Sequence, residues 1–261
     1  MRTANESNTP IRFQIILADL IIEIRCQYDR IYHLCEKYVI NCCEVTRKPD
    51  IIVSALQSDI KKESIKARKE QEKDGHNSFQ IIFNDELEEL NVYRKICEQM
   101  PLFNAFLLHG SAIGSEGNGY ILTAPSGTGK TTRTMRWLEE IPRSVVINGD
   151  KPLIKLSNGT FFVYGTPWSG KEHLNTNTRT PLRAILLIER ADADGEVQMT
   201  RLASSEAYLE LLSMIYRPED EHALSATLFL LKMLVEQVTV FRFHGTPTRE
   251  SVRKAWETVK P

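Results

Sequence analysis

Between Ala124 and Thr132 the chain reads APSGTGKTT, residue types at a spacing that can cradle phosphates. In such a loop successive backbone N–H groups point inward at a nucleotide's phosphate chain, and a lysine ammonium reaches the outer two phosphates. Lys130 supplies the ammonium and Thr131 a hydroxyl for Mg²⁺. Gly127 and Gly129 give the backbone freedom and the close approach that the cradle needs, while Ala124 stands where the strict Walker A form has glycine. The nucleotide-binding set is therefore Ser126, Gly127, Thr128, Gly129, Lys130, Thr131 and Thr132.

Three further segments carry chemistry once a phosphate site is accepted. Leu107-Leu108-His109-Gly110-Ser111-Ala112 is an apolar segment broken at a His-Gly-Ser corner, and two adjacent strands would bring His109 beside the phosphates. Val145-Val146-Ile147-Asn148-Gly149-Asp150 is an apolar strand ending in a carboxylate, the layout of a metal-holding or base aspartate at a strand's C-terminal edge. Gly165-Thr166-Pro167-Trp168-Ser169-Gly170-Lys171-Glu172 is a turn rich in glycine and proline; it offers a wall to a cleft, with Lys171 and Glu172 as cleft candidates, and Trp168 equally suits a core plug.

The elements that must position these residues follow from periodicity. Gly119 to Thr123 reads as a strand entering the loop, and Thr131 to Glu140, with Met135, Trp137 and Leu138, as a half-buried helix leaving it. That helix would aim unsatisfied N–H groups and a partial positive charge at a bound phosphate. Further strands are expected at Phe106–Ala112, Val145–Ile147, Phe161–Tyr164, Ala184–Ile188, Val197–Thr200 and Val238–Phe243, and helices at Ser204–Met214, His222–Glu236 and Pro247–Val259. Thr246 before Pro247 is the expected cap of the last helix. Consecutive strands without intervening helices argue for a mixed sheet rather than a doubly wound one.

Residues 1–100 read as a smaller α+β module and 101–261 as the catalytic domain. The module has strands at Ile11–Leu17, Leu20–Cys26, Ile51–Ala55 and Phe79–Phe83, a helical pattern over Ile31–Val39, and a helix over Glu86–Gln99. Between Asp59 and Asp74 runs a stretch of mixed charge, DIKKESIKARKEQEKD, expected as a solvated helix or connector.

The chain has 261 residues, 42% hydrophobic, with a formal net charge of −1. That leaves real cores but no global basic field for nucleic acid or an anionic membrane. The start, MRTANESNTP, has no apolar signal core, and charges interrupt each apolar stretch short of a membrane span, so cytoplasm is expected. The five cysteines, Cys26, Cys35, Cys42, Cys43 and Cys97, form no C-x-x-C pair and read as buried reduced thiols.

His109-Gly110-Ser111, the SGTGKT loop, the strand ending Gly149-Asp150 and the closing VTVFRFHGTPTRESVRKAW together resemble the catalytic domain of HPr kinase/phosphorylase and its relatives, themselves related to ATP-dependent phosphoenolpyruvate carboxykinase. The similarity covers roughly Leu102 to Pro261, and the layout is most similar to diverged members that modify peptide precursors. The resemblance implies a mixed-sheet P-loop kinase core in an α/β fold, ATP and Mg²⁺ as cofactors, and phosphoryl transfer to a hydroxyl. It implies that Lys130 neutralises the outer phosphates, that Thr131 and Asp150 hold the metal, that Asp150 orients or deprotonates the acceptor, and that His109 positions or tunes Asp150. Relatives carry two successive aspartates where this chain has Asp150-Lys151, so a second carboxylate must come from elsewhere, with Glu172 and Glu189 as candidates. A serine of a peptide or protein is the favoured acceptor; a small hydroxyl metabolite such as free serine, or an ATP-binding regulatory module without transfer, are the alternatives. Homo-oligomerisation stays open.

Overall fold

A computed structural model describes residues 10–40, 48–73, 82–125, 128–189 and 197–261. The chain divides into two units, Met1–Gln99 and Met100–Pro261.

In the first unit Ala18 and Asp19 hold φ values of 51° and 62°, the two-residue primed turn that suits the twist of a hairpin. It joins β1 (Ile11–Leu17) to β2 (Leu20–Cys26), and β3 (Ile51–Ser54) lies parallel to β2 on its other side. Strict alternation puts Phe13, Ile15, Ile22, Ile24, Ile51 and Val53 on one buried face. On the opposite face Glu23 is buried between Arg12 and Arg25, each 2.6 Å away. The helices are α1 (Arg30–Cys35), α2 (Gln57–Lys73) and α3 (Asn84–Gln99). The charged stretch expected as helix or connector is the helix α2, tied to α3 by Glu63–Arg94 at 2.9 Å and Asp59–Lys95 at 2.6 Å. The strand expected at Phe79–Phe83 falls largely outside the described residues, and Phe83 leads directly into α3.

The second unit is a mixed α/β fold built on a curled mixed sheet, nine-stranded among the described residues. Its strands are β4 (Ala105–Leu107), β5 (Ser111–Ser115), β6 (Asn118–Thr123), β7 (Val145–Asn148), β8 (Leu153–Ser157), β9 (Thr160–Tyr164), β10 (Arg179–Glu189), β11 (Gln198–Arg201) and β12 (Thr239–His244). The order runs β4-β8-β9-β10-β6-β5-β7, with β12 also paired to β10 and β11 to β12. The curl comes from β10: its first residues pair antiparallel with β9, its later ones parallel with β6 and β12, and the register shifts between Leu182 and Ala184. Successive residues of β6 serve two cores. Tyr120 and Leu122 pack with Trp137 and Trp256, and Ile121 packs on the other face with Leu230 and Leu234. The first face is covered by α4 (Lys130–Glu140) and α7 (Arg249–Val259), the second by α5 (Ser204–Leu211) and α6 (Glu221–Gln237).

Four sequence expectations change. Phe106–Ala112 is two strands, because the chain leaves the ladder at His109-Gly110. Expected only from Ala184, β10 begins at Arg179, with Pro181 tolerated just before the register shift. The strand β8 was not anticipated, although Asn158 and Gly159, at φ 48° and 78°, are the hairpin turn that betrays it. The cap of α7 is Thr248, which accepts from Ser251 N at 3.2 Å, while Thr246 offers only its backbone oxygen.

Candidate functional site

Strand directions gather the chemistry on one edge. Running antiparallel to both β6 and β7, β5 starts where those two strands end, and β10 and β12 end there too. Along this edge, from β12 across β10, β6 and β5 to β7, lie His244, Glu189, the Ala124–Thr132 loop, His109 and Asp150.

The loop leaves β6 through Thr123, whose hydroxyl donates to His109 O at 2.6 Å. Ala124 is fully buried in the core. Ser126 and Gly127 lie outside the described residues. Thr128 Oγ1 donates to Pro125 O at 2.6 Å, closing the loop on itself. Gly129 precedes α4 at φ 90°, a left-handed position that favours glycine, and no side chain caps the helix there. The first turn of α4 contains no acidic residue, so its positive end is uncompensated by its own sequence. Lys130 Nζ donates to Ala124 O at 2.9 Å. Burial pushes the Lys130 ammonium below its usual range and the Asp150 charge opposes that shift. Thr131 and Thr132 are exposed on the same turn.

His109 Nε2 lies 3.2 Å from Asp150 Oδ1, and the two backbones are joined as well by Gly110 N to Asp150 O at 2.9 Å. Gly110 is required: a Cβ there would stand 2.9 Å from Ile121 Cγ2 and 3.0 Å from Leu122 O. The hydrogen bond from His109 holds the Asp150 carboxyl below the usual carboxylate range; burial works against it, and Lys151 and Lys130 add to the lowering. Lys151 Nζ lies 3.6 Å from Asp150 Oδ2.

Two residues that the sequence reading did not single out fix this turn. Buried Asn148 accepts from Asp150 N at 2.9 Å and Lys151 N at 2.6 Å, and donates to Thr166 O and Thr166 Oγ1, each at 3.0 Å. Thr166 Oγ1 in turn donates to Lys151 O at 2.8 Å. The one local signal was Asn148 itself, an Asx-turn former between an apolar strand and Gly149-Asp150.

The Gly165–Glu172 turn comes back over Asp150. Trp168 is buried, as a core plug would be, and Lys171 and Glu172 are exposed. A Cβ on Gly170 would stand 3.6 Å from Asp150 Cγ and 3.7 Å from Glu172 Oε2, so both carboxylates border the same glycine. Glu189, the other acidic candidate, is instead held by Arg242 at 2.7 Å, in a cluster with Glu206 and Glu210 on the far side of β6 from Asp150.

No protein-family model matches the chain, and no curated protein matches it. Among solved structures, the chain is similar to the Hpr(Ser) kinase/phosphatase from Coxiella burnetii at a TM-score of 0.34 and 9% identity, over 58% of this chain and 91% of that one. So distant a likeness bears no weight on the chemistry, which rests on the residues of this chain.

Proposed function

We propose that the chain is a Mg-ATP-dependent kinase that transfers a phosphoryl group to a hydroxyl, with a serine of a peptide or protein as favoured acceptor. One observation carries the reading: the His109–Asp150 pair stands at the same sheet edge as Lys130, with the Asp150 charge acting on the Lys130 ammonium. The residues fit the cofactor. Gly129 at positive φ, the uncapped start of α4, the half-buried ammonium of Lys130 and the exposed hydroxyl of Thr131 are what phosphate and magnesium oxygens require. Among the described residues no three His, Cys, Asp or Glu groups cluster as a metal cage; magnesium needs none, because one or two protein oxygens with phosphate and water complete its shell. Thr131 and Asp150 are the protein oxygens in this reading.

When bound, Mg-ATP would supply the phosphoryl group for transfer, with Lys130 and the start of α4 holding its phosphates. Lys130, which donates to the Ala124 carbonyl, would turn to the phosphate oxygens of a bound nucleotide. With the nucleotide bound, Asp150 would accept a hydrogen bond from the acceptor hydroxyl and take its proton as the phosphoryl group passes to that oxygen and the nucleoside diphosphate leaves. His109 holds the carboxylate in place through Oδ1. Positioning and charge neutralisation supply most of the rate in this chemistry, so few residues suffice. The side chains of His109 and Asp150 remain 36% and 25% exposed, with exposed Lys171 and Glu172 nearby, an open setting that suits a hydroxyl carried on a chain.

A second reading, nucleotide binding without transfer, is favoured by the Lys151 ammonium lying 3.6 Å from Asp150 Oδ2, where it competes for the charge that a metal or hydroxyl would use. Incubation with γ-labelled ATP, extract from the source organism and a panel of free hydroxy amino acids separates the readings. Labelled polypeptide is expected from wild type and absent with Lys130→Ala and Asp150→Asn. Label on a free amino acid alone would move the acceptor to a metabolite; ATP binding with no labelled product would establish the second reading. Full transfer by Asp150→Asn would remove the base assignment.

A further inference from the structure

A buried cation lies beneath the start of α4. Arg133, one turn into α4, is 2% exposed, and its side chain runs back toward the start of the helix. Nη1 donates to Thr128 O at 3.1 Å and lies 3.2 Å from where a Cβ on Gly129 would stand. Nη2 donates to Gly245 O, in the connection between β12 and α7. Nε is buried without a hydrogen-bond partner, and the guanidinium carbon sits 5.4 Å from the centre of the Phe243 ring. Among the described residues no carboxylate pairs with this guanidinium, and burial alone shifts it, downward.

Taking an arginine out of water is costly unless a counter-charge or a full set of acceptors replaces the solvent, and here two neutral carbonyls replace it and one N–H has nothing. A hydrophobic residue would fill the space beside Phe243 at lower cost. What the arginine adds is positive charge directly under an uncapped helix start and a fork that spans two separate backbone segments, which a point-charge lysine cannot do. The Gly245 segment is itself pinned to α7, with Thr246 O accepting from Ser251 Oγ at 2.6 Å and Thr248 N at 2.8 Å.

We propose that Arg133 is a positioning residue for a polyphosphate anion: it fastens Thr128–Gly129 to Gly245 and stores a buried positive charge that the anion compensates, so that binding at the helix start and ordering of the connection from Gly245 to Thr248 are coupled. The inference rests on the phosphate-binding reading above. It extends that reading by giving the bound anion an effect on α7, on the side of the sheet edge away from His109 and Asp150.

Inorganic pyrophosphate is the probe, with affinity read by calorimetry and amide exchange followed by mass spectrometry on the full chain. Wild type is expected to bind it and to gain exchange protection over 245–248. Arg133→Met is expected to lose about tenfold in affinity, as for one charge at a helix end, and to lose the added protection, while its melting temperature without ligand holds or rises because the buried charge is gone. Arg133→Lys is expected to recover part of the affinity and none of the protection. Unchanged affinity in Arg133→Met, or wild-type binding with no added protection at 245–248, would overturn the proposal while leaving the nucleotide reading intact. Wild type that binds no pyrophosphate would overturn both. Should Arg133→Met fail to fold, the wild-type exchange measurement still decides.

Discussion

Asp150 keeps its charge below the usual carboxylate range because His109 donates to it, with Lys151 and Lys130 adding to the effect against the pull of burial. A carboxylate depressed in the folded state contributes stability above its unfolded titration range, near about 4, and loses it as pH falls through the lower folded value. The same sign governs a base that must be ionised: the acid limb of kcat/KM is expected below about 4 in wild type. His109→Ala removes the largest lowering influence and should move that limb upward; coincident acid limbs for the two proteins would show that His109 does not tune Asp150. Residue identities at this site were legible because motif chemistry is local: Lys130, His109 and Asp150 each follow or precede a recognisable strand. The role of Asn148 was not, because its donors and acceptors include Thr166 and Trp168, brought back by a loop that no local pattern specifies.

At the scale of elements, the start of α4 is the critical junction. Gly129 must hold φ 90° while Arg133 Nη1 stands 3.2 Å from its missing Cβ. Gly129→Ala is expected to destabilise by roughly 1–2 kcal/mol from the left-handed backbone alone and to weaken ATP binding as the helix start rotates away; a variant with unchanged melting temperature and unchanged ATP affinity would show that this geometry is not required. Helices α6 and α7 were legible to within a few residues because apolar spacing repeats along each of them. Their boundaries were less so. Thr246-Pro247 looked like a start, but Thr248 caps α7, since the backbone around Thr246 is turned to accept from Ser251. The strand β10 hid its first half behind a proline, whose cost is small where the strand changes partners.

At the scale of the whole molecule, the cysteines among the described residues are placed by packing rather than by redox chemistry. Cys26, Cys35 and Cys97 are buried thiols on β2, α1 and α3. Burial pushes the Cys26 thiol up to about 12 and raises Cys35 as well. A thiol reagent at pH 8 should leave all three unmodified in the native protein and label them on unfolding, read by mass spectrometry of peptides; rapid native labelling would mean that the first unit opens readily. Cys42 and Cys43 lie outside the described residues.

By itself the sequence determined what depends on near neighbours: the residue types of the 124–132 loop, the strand before it and the helix after it. Tertiary structure alone decided that His109, Asp150 and Lys130 share one edge and that Glu189 stands apart from Asp150. The physical reason is that strand order is written in hydrogen-bond ladders between distant segments. Placing β5 between β6 and β7 brings an imidazole and a carboxylate together, and placing β10 on the other side of β6, with β12 beyond it, hands Glu189 to Arg242. Such pairings are chosen by the burial of two whole sheet faces at once, and no window of sequence contains that information.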